Sequence, residues 1–308
     1  MLLWVGIDVA KATLAVHLHP DAAGFSVANT PEGHAELLER LRDRAVGNVL
    51  LEASGGYERT LMRALADAGL PATRINPKRA RAFATAMGKL AKTDPADATV
   101  LARMAALLDA THEVPNPHQE ELRALVQRRE QLVQQRDDER RRLKQADSPR
   151  VRTTLAEHIG YLNTLINALG DDIARARRRV DDPLASRLLA VPGIGAVTVA
   201  SLLAHLPELG RLDRRQIAAL AGLAPYSVDS GQVCGKRRIR GGRTAIRRVL
   251  YMASLSVIRK QEDFRARHQR LCQQGKPARL AITACMRVLL IRMNAMARDQ
   301  TDWVGAPV

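Results

Sequence analysis

The stretch Leu2-Leu3-Trp4-Val5-Gly6-Ile7-Asp8-Val9-Ala10-Lys11-Ala12-Thr13-Leu14-Ala15-Val16-His17-Leu18 decides the fold. Its two apolar, β-branched runs, residues 2–9 and 13–18, predict strands that pair as a hairpin across residues 10–12. The first run has no basic leader and meets Asp8 within eight residues, so it reads as a strand and not as a signal peptide. Working outward, residues 25–28 predict a third strand. Pro31 opens a helix to about residue 44, as proline often does in a first turn. Residues 49–51 form a short buried strand that ends at Glu52, and residues 57–68 a helix stopped by Gly69. A strand over 72–76 and helices over 77–87 and 95–108 complete the segment. Three strands followed by alternating helices and strands predict an α/β layer on a mixed sheet.

Beyond that segment the chain turns helical. Leu155, Ile159, Leu162, Ile166, Leu169, Ile173, Ala176 and Val180 recur at alternating spacings of 4 and 3, an unbroken heptad seam. β-Branched residues at a with leucine at d favour two-stranded pairing. Gly160 and Gly170 each weaken that helix by about 1 kcal/mol, so a packing partner has to supply stability. The preceding stretch, residues 119–144, is also helical, and Asp147-Ser148-Pro149 separates the two. An antiparallel hairpin within one chain and a coiled coil between chains both satisfy this pattern. From Pro183 the chain is helical with glycine-rich interruptions, and Trp303 begins an expected frayed tail. The domain expectation is therefore residues 1–118, a helical coiled-coil connector over 119–182, and a mostly α segment over 183–308.

The formal net charge of +16 is unevenly placed. Residues 1–118 carry 13 basic and 13 acidic side chains, residues 119–182 carry 14 and 12, and residues 183–308 carry 21 and 7. A basic excess confined to the last third is the footprint expected of a phosphate-binding surface. Aromatics make up 3%, which argues against base stacking as the main binding mode. Cys234, Cys272 and Cys285 are too few and too dispersed for a zinc site or a disulfide framework. No apolar stretch is read as approaching the ~20 residues that span a bilayer. The expectation is a cytoplasmic protein without membrane association.

Four carboxylates stand out. Asp8 lies inside an apolar strand, where a charge is costly without a partner or a metal. Glu52 closes the fourth strand, and Asp94 and Asp97 open a helix at i and i+3, on one face. Acids converging from separate elements suit two-metal phosphoryl chemistry with Mg²⁺, which prefers oxygen ligands and keeps several waters. Taken singly, Asp94 also reads as an N-cap before Pro95 and Glu52 as a solvated strand end.

These residues carry a resemblance. Gly6-Ile7-Asp8-Val9-Ala10-Lys11, Leu51-Glu52-Ala53-Ser54-Gly55-Gly56-Tyr57, Ile75-Asn76-Pro77 and Lys92-Thr93-Asp94-Pro95-Ala96-Asp97-Ala98 resemble the motif series of the DEDD-type insertion-sequence transposases. That family is related to the Piv site-specific invertases and includes bridge-RNA-guided recombinases. The resemblance implies an RNase H-like (RuvC-like) fold for the N-terminal domain, with Asp8, Glu52, Asp94 and Asp97 as metal-binding acids.

Val191-Pro192-Gly193-Ile194-Gly195 resembles the hairpin of helix-hairpin-helix DNA-binding units, in which Gly193 and Gly195 let backbone N–H groups face a phosphate. A helix connector without ligand has the same signature. Ser230 is followed by Lys236, Arg237, Arg238, Arg240, Arg243, Arg247 and Arg248, cations that suit a serine attacking a phosphodiester. By itself a loop serine carries no such role. The stretch from Gly222 to Leu250 is, however, similar to the C-terminal transposase domain of the same family, and its catalytic serine maps to Ser230, with Ser227 a nearby competitor. The resemblance implies a DNA transposase or site-specific recombinase, acting on donor and target DNA as a homo-oligomer, dimer or tetramer, and admits a structured guide RNA. A hydrolytic Holliday-junction-type nuclease using the four acids alone, and a non-catalytic nucleic-acid-binding protein, are the rival readings.

Overall fold

The computed structural model describes residues 2–89, 93–108, 116–227 and 237–304. It divides into two compact units, residues 1–116 and 117–308.

In the N-terminal unit the strands are β1 (Leu3–Val9), β2 (Thr13–His19), β3 (Ala23–Ala28), β4 (Val46–Glu52) and β5 (Ala72–Ile75), and the helices α1 (Pro31–Leu41), α2 (Arg59–Asp67), α3 (Pro77–Ala86) and α4 (Asp94–Leu107). The sheet order is β3-β2-β1-β4-β5. β1 to β3 form an antiparallel meander, while β4 and β5 run parallel to β1. The mixed sheet expected from the sequence is present. Strand alternation sorts its residues between two cores. Leu3, Val5, Ile7, Val9, Val49 and Leu51 pack with Leu37, Leu41, Leu61 and Leu65 of α1 and α2. On the opposite face, Leu50 and Ile75 pack with Ala80 of α3 and with Leu101, Met104 and Ala105 of α4.

Gly6 sets how closely that second layer approaches. A Cβ there would overlap the backbone nitrogen of Ala102 and the carbonyl oxygen of Ala98, so α4 lies with its backbone directly on β1. No residue larger than glycine permits that approach without moving the helix.

The C-terminal unit consists of α5 (Pro117–Gln145), α6 (Pro149–Ala190), α7 (Ala196–His205), α8 (Arg214–Leu220), β6 (Pro225–Tyr226), β7 (Arg238–Ile239), α9 (Thr244–Lys260), α10 (Glu262–Gln273) and α11 (Ala278–Asp299). Its core draws Leu122 and Val126 from α5 and Ile173, Ala176 and Leu188 from α6. The same cluster takes in Val199, Leu202, Ile217, Ile246, Leu250 and the buried face of α11. The stretch read as a connector thus shares a core with the helices that follow. α6 is broken at Asp181 (φ −165°, ψ 92°), whose carboxylate accepts from Leu184 N at 2.9 Å and starts the second half two residues before Pro183.

The heptad seam is filled from within the chain. Leu162 and Ile166 of α6 cluster with Leu132 of α5, and Val133, Leu165 and Leu169 flank them. The antiparallel hairpin is therefore formed, and the seam needs no second chain along this length. Ile166→Lys places an unmatched charge where the side chain is 5% exposed. It is expected to cost about 3 kcal/mol of stability. Denaturant unfolding of the full-length variant, followed by circular dichroism, measures the loss.

Two expectations are corrected. The tail does not fray at Trp303: its ring stacks on Phe264 with centroids 6.4 Å apart, and its Nε1 donates to Gln261 Oε1 at 3.1 Å. α11 does satisfy the length and apolarity of a bilayer span, with 22 residues, 18 of which form a stretch of mean hydropathy 1.5. Its Ile282, Cys285, Met286, Leu289, Leu290 and Met293 are buried in the C-terminal core, which accounts for the apolarity.

Candidate active site of the N-terminal unit

Strand register brings two of the acids together. Ile7 pairs with Leu51 across the parallel β1–β4 ladder, so Asp8 and Glu52, each one residue further on, are neighbours at the carboxyl ends of both strands. Both belong to the face that α3 and α4 cover, because Ile7 and Leu51 point into the opposite core. Glu52 is flanked on its other side by Ile75 of β5.

α4 brings the other two. Its residues Ala98 and Ala102 lie on Gly6, so the turn before them, with Asp94 and Asp97, sits at the helix end that begins beside these strands. Thr93 is the N-cap and Asp94 the first helical residue, so Asp94 is not the cap that it could have been by sequence. Asp97 N donates to Thr93 O at 2.9 Å. Glu52 and Asp97 line one cavity of about 350 Å³ with Pro77, Lys78, Ala80, Arg81, Val100 and Leu101. Asp8, Glu52 and Asp97 are half-buried and Asp94 is exposed.

The donor set is entirely carboxylate oxygen, which suits a hard divalent cation. Among the described residues, however, no three His, Cys, Asp or Glu side chains are gathered closely enough to hold a metal ion. The donor chemistry of the acids suits a hard divalent cation, but their placement among the described residues gathers no three of them.

Two features here were not foreseen from sequence. Glu58, 3% exposed, folds the loop after Glu52 by accepting from Gly56 N at 2.9 Å, Ser54 N at 3.3 Å and Arg74 at 3.2 Å. Burial raises its pKa, but hydrogen bonds from backbone amides and from Arg74 outweigh that and hold it below the usual carboxylate range. Lys78 and Arg81 share the cavity of the acids, whereas the sequence reading placed every nucleic-acid-binding cation in the last third. Their signal was the Asn76-Pro77-Lys78-Arg79-Ala80-Arg81 helix start.

In the C-terminal unit the expected residues divide. Gly193 (φ +99°) turns the chain against α9, where a Cβ would stand 2.9 Å from Val257 Cα. Gln261 holds the same turn by donating to Pro192 O at 2.7 Å. Gly195 is the N-cap of α7 and faces open space. Arg243 is turned inward: it grips Glu208 with two bonds of 2.6 Å and donates to His205 O at 2.8 Å. Arg247 donates to Gly241 O at 2.6 Å, and Arg248 reaches Glu130 of α5 at 3.4 Å. Burial first, then the charges of Arg123, Arg243 and Arg248, push the His205 pKa down to about 4, leaving it neutral. Arg237, Arg238, Arg240 and Ser227 are exposed around the short β6–β7 ladder. Ser230, Lys236 and Cys234 lie outside the described residues.

Comparison with known proteins accords with both ends of the chain. The DEDD transposase profile matches residues 5–146, and the profile described as transposase of the IS116/IS110/IS902 family matches residues 185–269. The pilin gene-inverting proteins of Moraxella lacunata and Moraxella bovis are each 28% identical over 309 residues, covering 96% of this chain and 96% of their own. The transposase for insertion sequence element IS1328 of Yersinia enterocolitica is 34% identical over 119 residues, 37% of this chain and 34% of its own. The DEDD match implies an RNase H-like fold for the N-terminal unit, in a family that is generally metal-dependent, and these relatives support a role in DNA recombination. The acids at the strand ends, the mixed sheet beneath them and the two profile matches converge: the chain belongs to the IS110 family of insertion-sequence transposases.

Proposed function

We propose that this protein is a DNA strand-exchange enzyme in which Asp8, Glu52, Asp94 and Asp97 hold Mg²⁺ and Ser230 is the nucleophile. The observation that carries the reading is the placement of Asp8 beside Glu52 at the carboxyl ends of β1 and β4, with Glu52 and Asp97 on one cavity. When bound, a pair of Mg²⁺ ions supplies charge neutralisation at the phosphate oxygens. The four acids fix that charge where negative charge develops, and the exposed cations Arg237, Arg238 and Arg240 bring DNA to the segment that carries the serine. Ser230 Oγ attacks phosphorus: an Oγ–P bond forms, the bond from phosphorus to a deoxyribose oxygen breaks, and the serine proton leaves with that oxygen. Attack by a deoxyribose hydroxyl of a second strand reverses these changes and restores the phosphodiester. Bond energy is conserved, so rejoining needs no external energy source.

In this reading residues 1–118 carry the metal chemistry and 183–308 the serine and the basic residues, with 119–182 packed into the core of the C-terminal unit. Gly193 and Gly195 present backbone amides to DNA, with Lys236 and Arg248 as further phosphate contacts. Arg243 and Arg247 act chiefly by fixing the β6–β7 region, given their internal partners. Donor and target DNA are the substrates, the assembly is a dimer or tetramer, and the protein works in the cytoplasm.

A denaturing gel of a labelled suicide DNA substrate tests this reading. The wild type is expected to yield a protein band carrying DNA in Mg²⁺, and Ser230→Ala none, while still binding DNA. An adduct lost in Ser227→Ala but kept in Ser230→Ala moves the nucleophile three residues upstream. Hydrolysed ends with no adduct in the wild type establish the junction-nuclease reading instead.

A further inference from the structure

The N-terminal unit has no net excess of basic side chains, yet two cations stand in the cavity of the acids. Lys78 and Arg81 are three residues apart on α3, hence on one face of the helix, and both line the cavity with Glu52 and Asp97. Lys78 stands in the first turn of α3, and Arg81 lies one turn further on. The first turn of α3 holds Lys78 and Arg79 and no acid, at the end where the aligned peptide dipoles disfavour positive charge. α1 and α4 obey the preference, with Glu32 and with Asp94 and Asp97 in their first turns, whereas α2, like α3, begins with a cation and no acid. A cavity walled by two cations and two carboxylates offers a charged ligand a seat.

Lys78 and Arg81 carry positive charge and only donors, which suits the anionic part of a ligand. It also has to tolerate neighbouring carboxylates, which these cations offset. The cavity, about 350 Å³, falls within the size range of small-ligand sites. It opens at the carboxyl ends of β4 and β5, the edge at which α/β sheets receive ligands.

We propose that Lys78 and Arg81 bind the phosphodiester backbone of the DNA strand on which the acid site acts, a contact separate from the basic C-terminal unit. The identity of that strand rests on the strand-exchange reading, but the phosphate contact does not. Lys78 supplies a mobile point charge, and Arg81 a planar fork suited to two phosphate oxygens. Together they seat the backbone beside the carboxylates before any bond changes.

The test uses full-length protein and a fluorescently labelled DNA duplex. Anisotropy titrations over a range of KCl concentrations, in Ca²⁺, compare the wild type with Lys78→Gln, Arg81→Gln and the double variant. The double variant is expected to bind about 10-fold more weakly, and the slope of log K against log salt should fall by about one for each lost contact. Lys78→Arg should restore the slope. Arg40→Gln with Arg42→Gln, at the C-terminal end of α1 in the same unit, should leave it unchanged. Lys78→Gln should melt at the wild-type temperature or above, since it removes a charge that the helix end disfavours. Wild-type affinity and slope in the double variant overturn the proposal, as does a fall in Tm that tracks the loss of binding. Mg²⁺-dependent cleavage by the wild type, measured in the same preparations, keeps the two ideas separate. A reduced slope without cleavage activity leaves the phosphate contact standing and removes the strand-exchange reading.

Discussion

Asp8→Asn and Glu52→Gln are each expected to lower Mg²⁺-dependent DNA cleavage and joining by at least about 100-fold, because even outer partners of metal ligands are worth 10–100-fold. Each change preserves shape and removes one negative charge. The two side chains are neighbours at the carboxyl ends of parallel strands, so each loss also weakens what the other holds. Folding should survive, because Ile7 and Leu51 anchor the strands in the opposite core and are untouched. The measurement is a single-turnover cleavage assay beside a thermal melt, with Mg²⁺ varied. Near-normal turnover in both variants would overturn the metal-site assignment. Partial recovery at high Mg²⁺ in either one would place that residue on the ion directly.

Gly6→Ala tests the spacing of the same site without touching a charge. The added Cβ would overlap the backbone of Ala98 and Ala102, so α4 has to move away from β1. Overpacking of this kind costs about 1–3 kcal/mol, and backbone atoms yield less readily than side chains. The displaced helix carries Asp94 and Asp97 away from Asp8 and Glu52. A misplacement of about 1 Å can cost on the order of 100-fold in rate. The expected result is therefore a lowered Tm together with a loss of activity, in a variant that keeps all four acids. Asp8→Asn, by contrast, should lose activity alone. Titration of Mg²⁺ separates the two further, because excess metal cannot restore a helix position. A Gly6→Ala protein with wild-type activity would show that α4 does not set the acid geometry.

The sheet was legible because its signals are local. β-Branched alternation over residues 2–9 and 13–18 specifies strands, and Pro31, Pro77 and Pro95 mark helix starts through their fixed φ. The order of elements then restricts the topology to a mixed sheet. The heptad seam was equally plain as a pattern, but its partner was not. Leu162 and Ile166 have the same periodicity whether they meet Leu132 of their own chain or a second copy, and only packing distinguishes the two. Trp303 resembled a tail for a related reason: its docking on Phe264 and Gln261 joins residues about forty positions apart, which no local window contains.

The candidate site divides along the same line. By itself the sequence determined which residues carry charge and the strand or helix on which each stands, since residue identity and hydrophobic period are properties of short windows. It gave Asp8, Glu52, Asp94 and Asp97 and their elements. Tertiary structure decided which charges meet. It set Glu52 and Asp97 on one cavity and added Lys78 and Arg81, which a segment-by-segment count had absorbed into a neutral sum. It joined Arg243 to Glu208, thirty-five residues away, a pairing no local window contains. Coulomb interactions depend on distance in space and on burial, and neither is ordered along the chain.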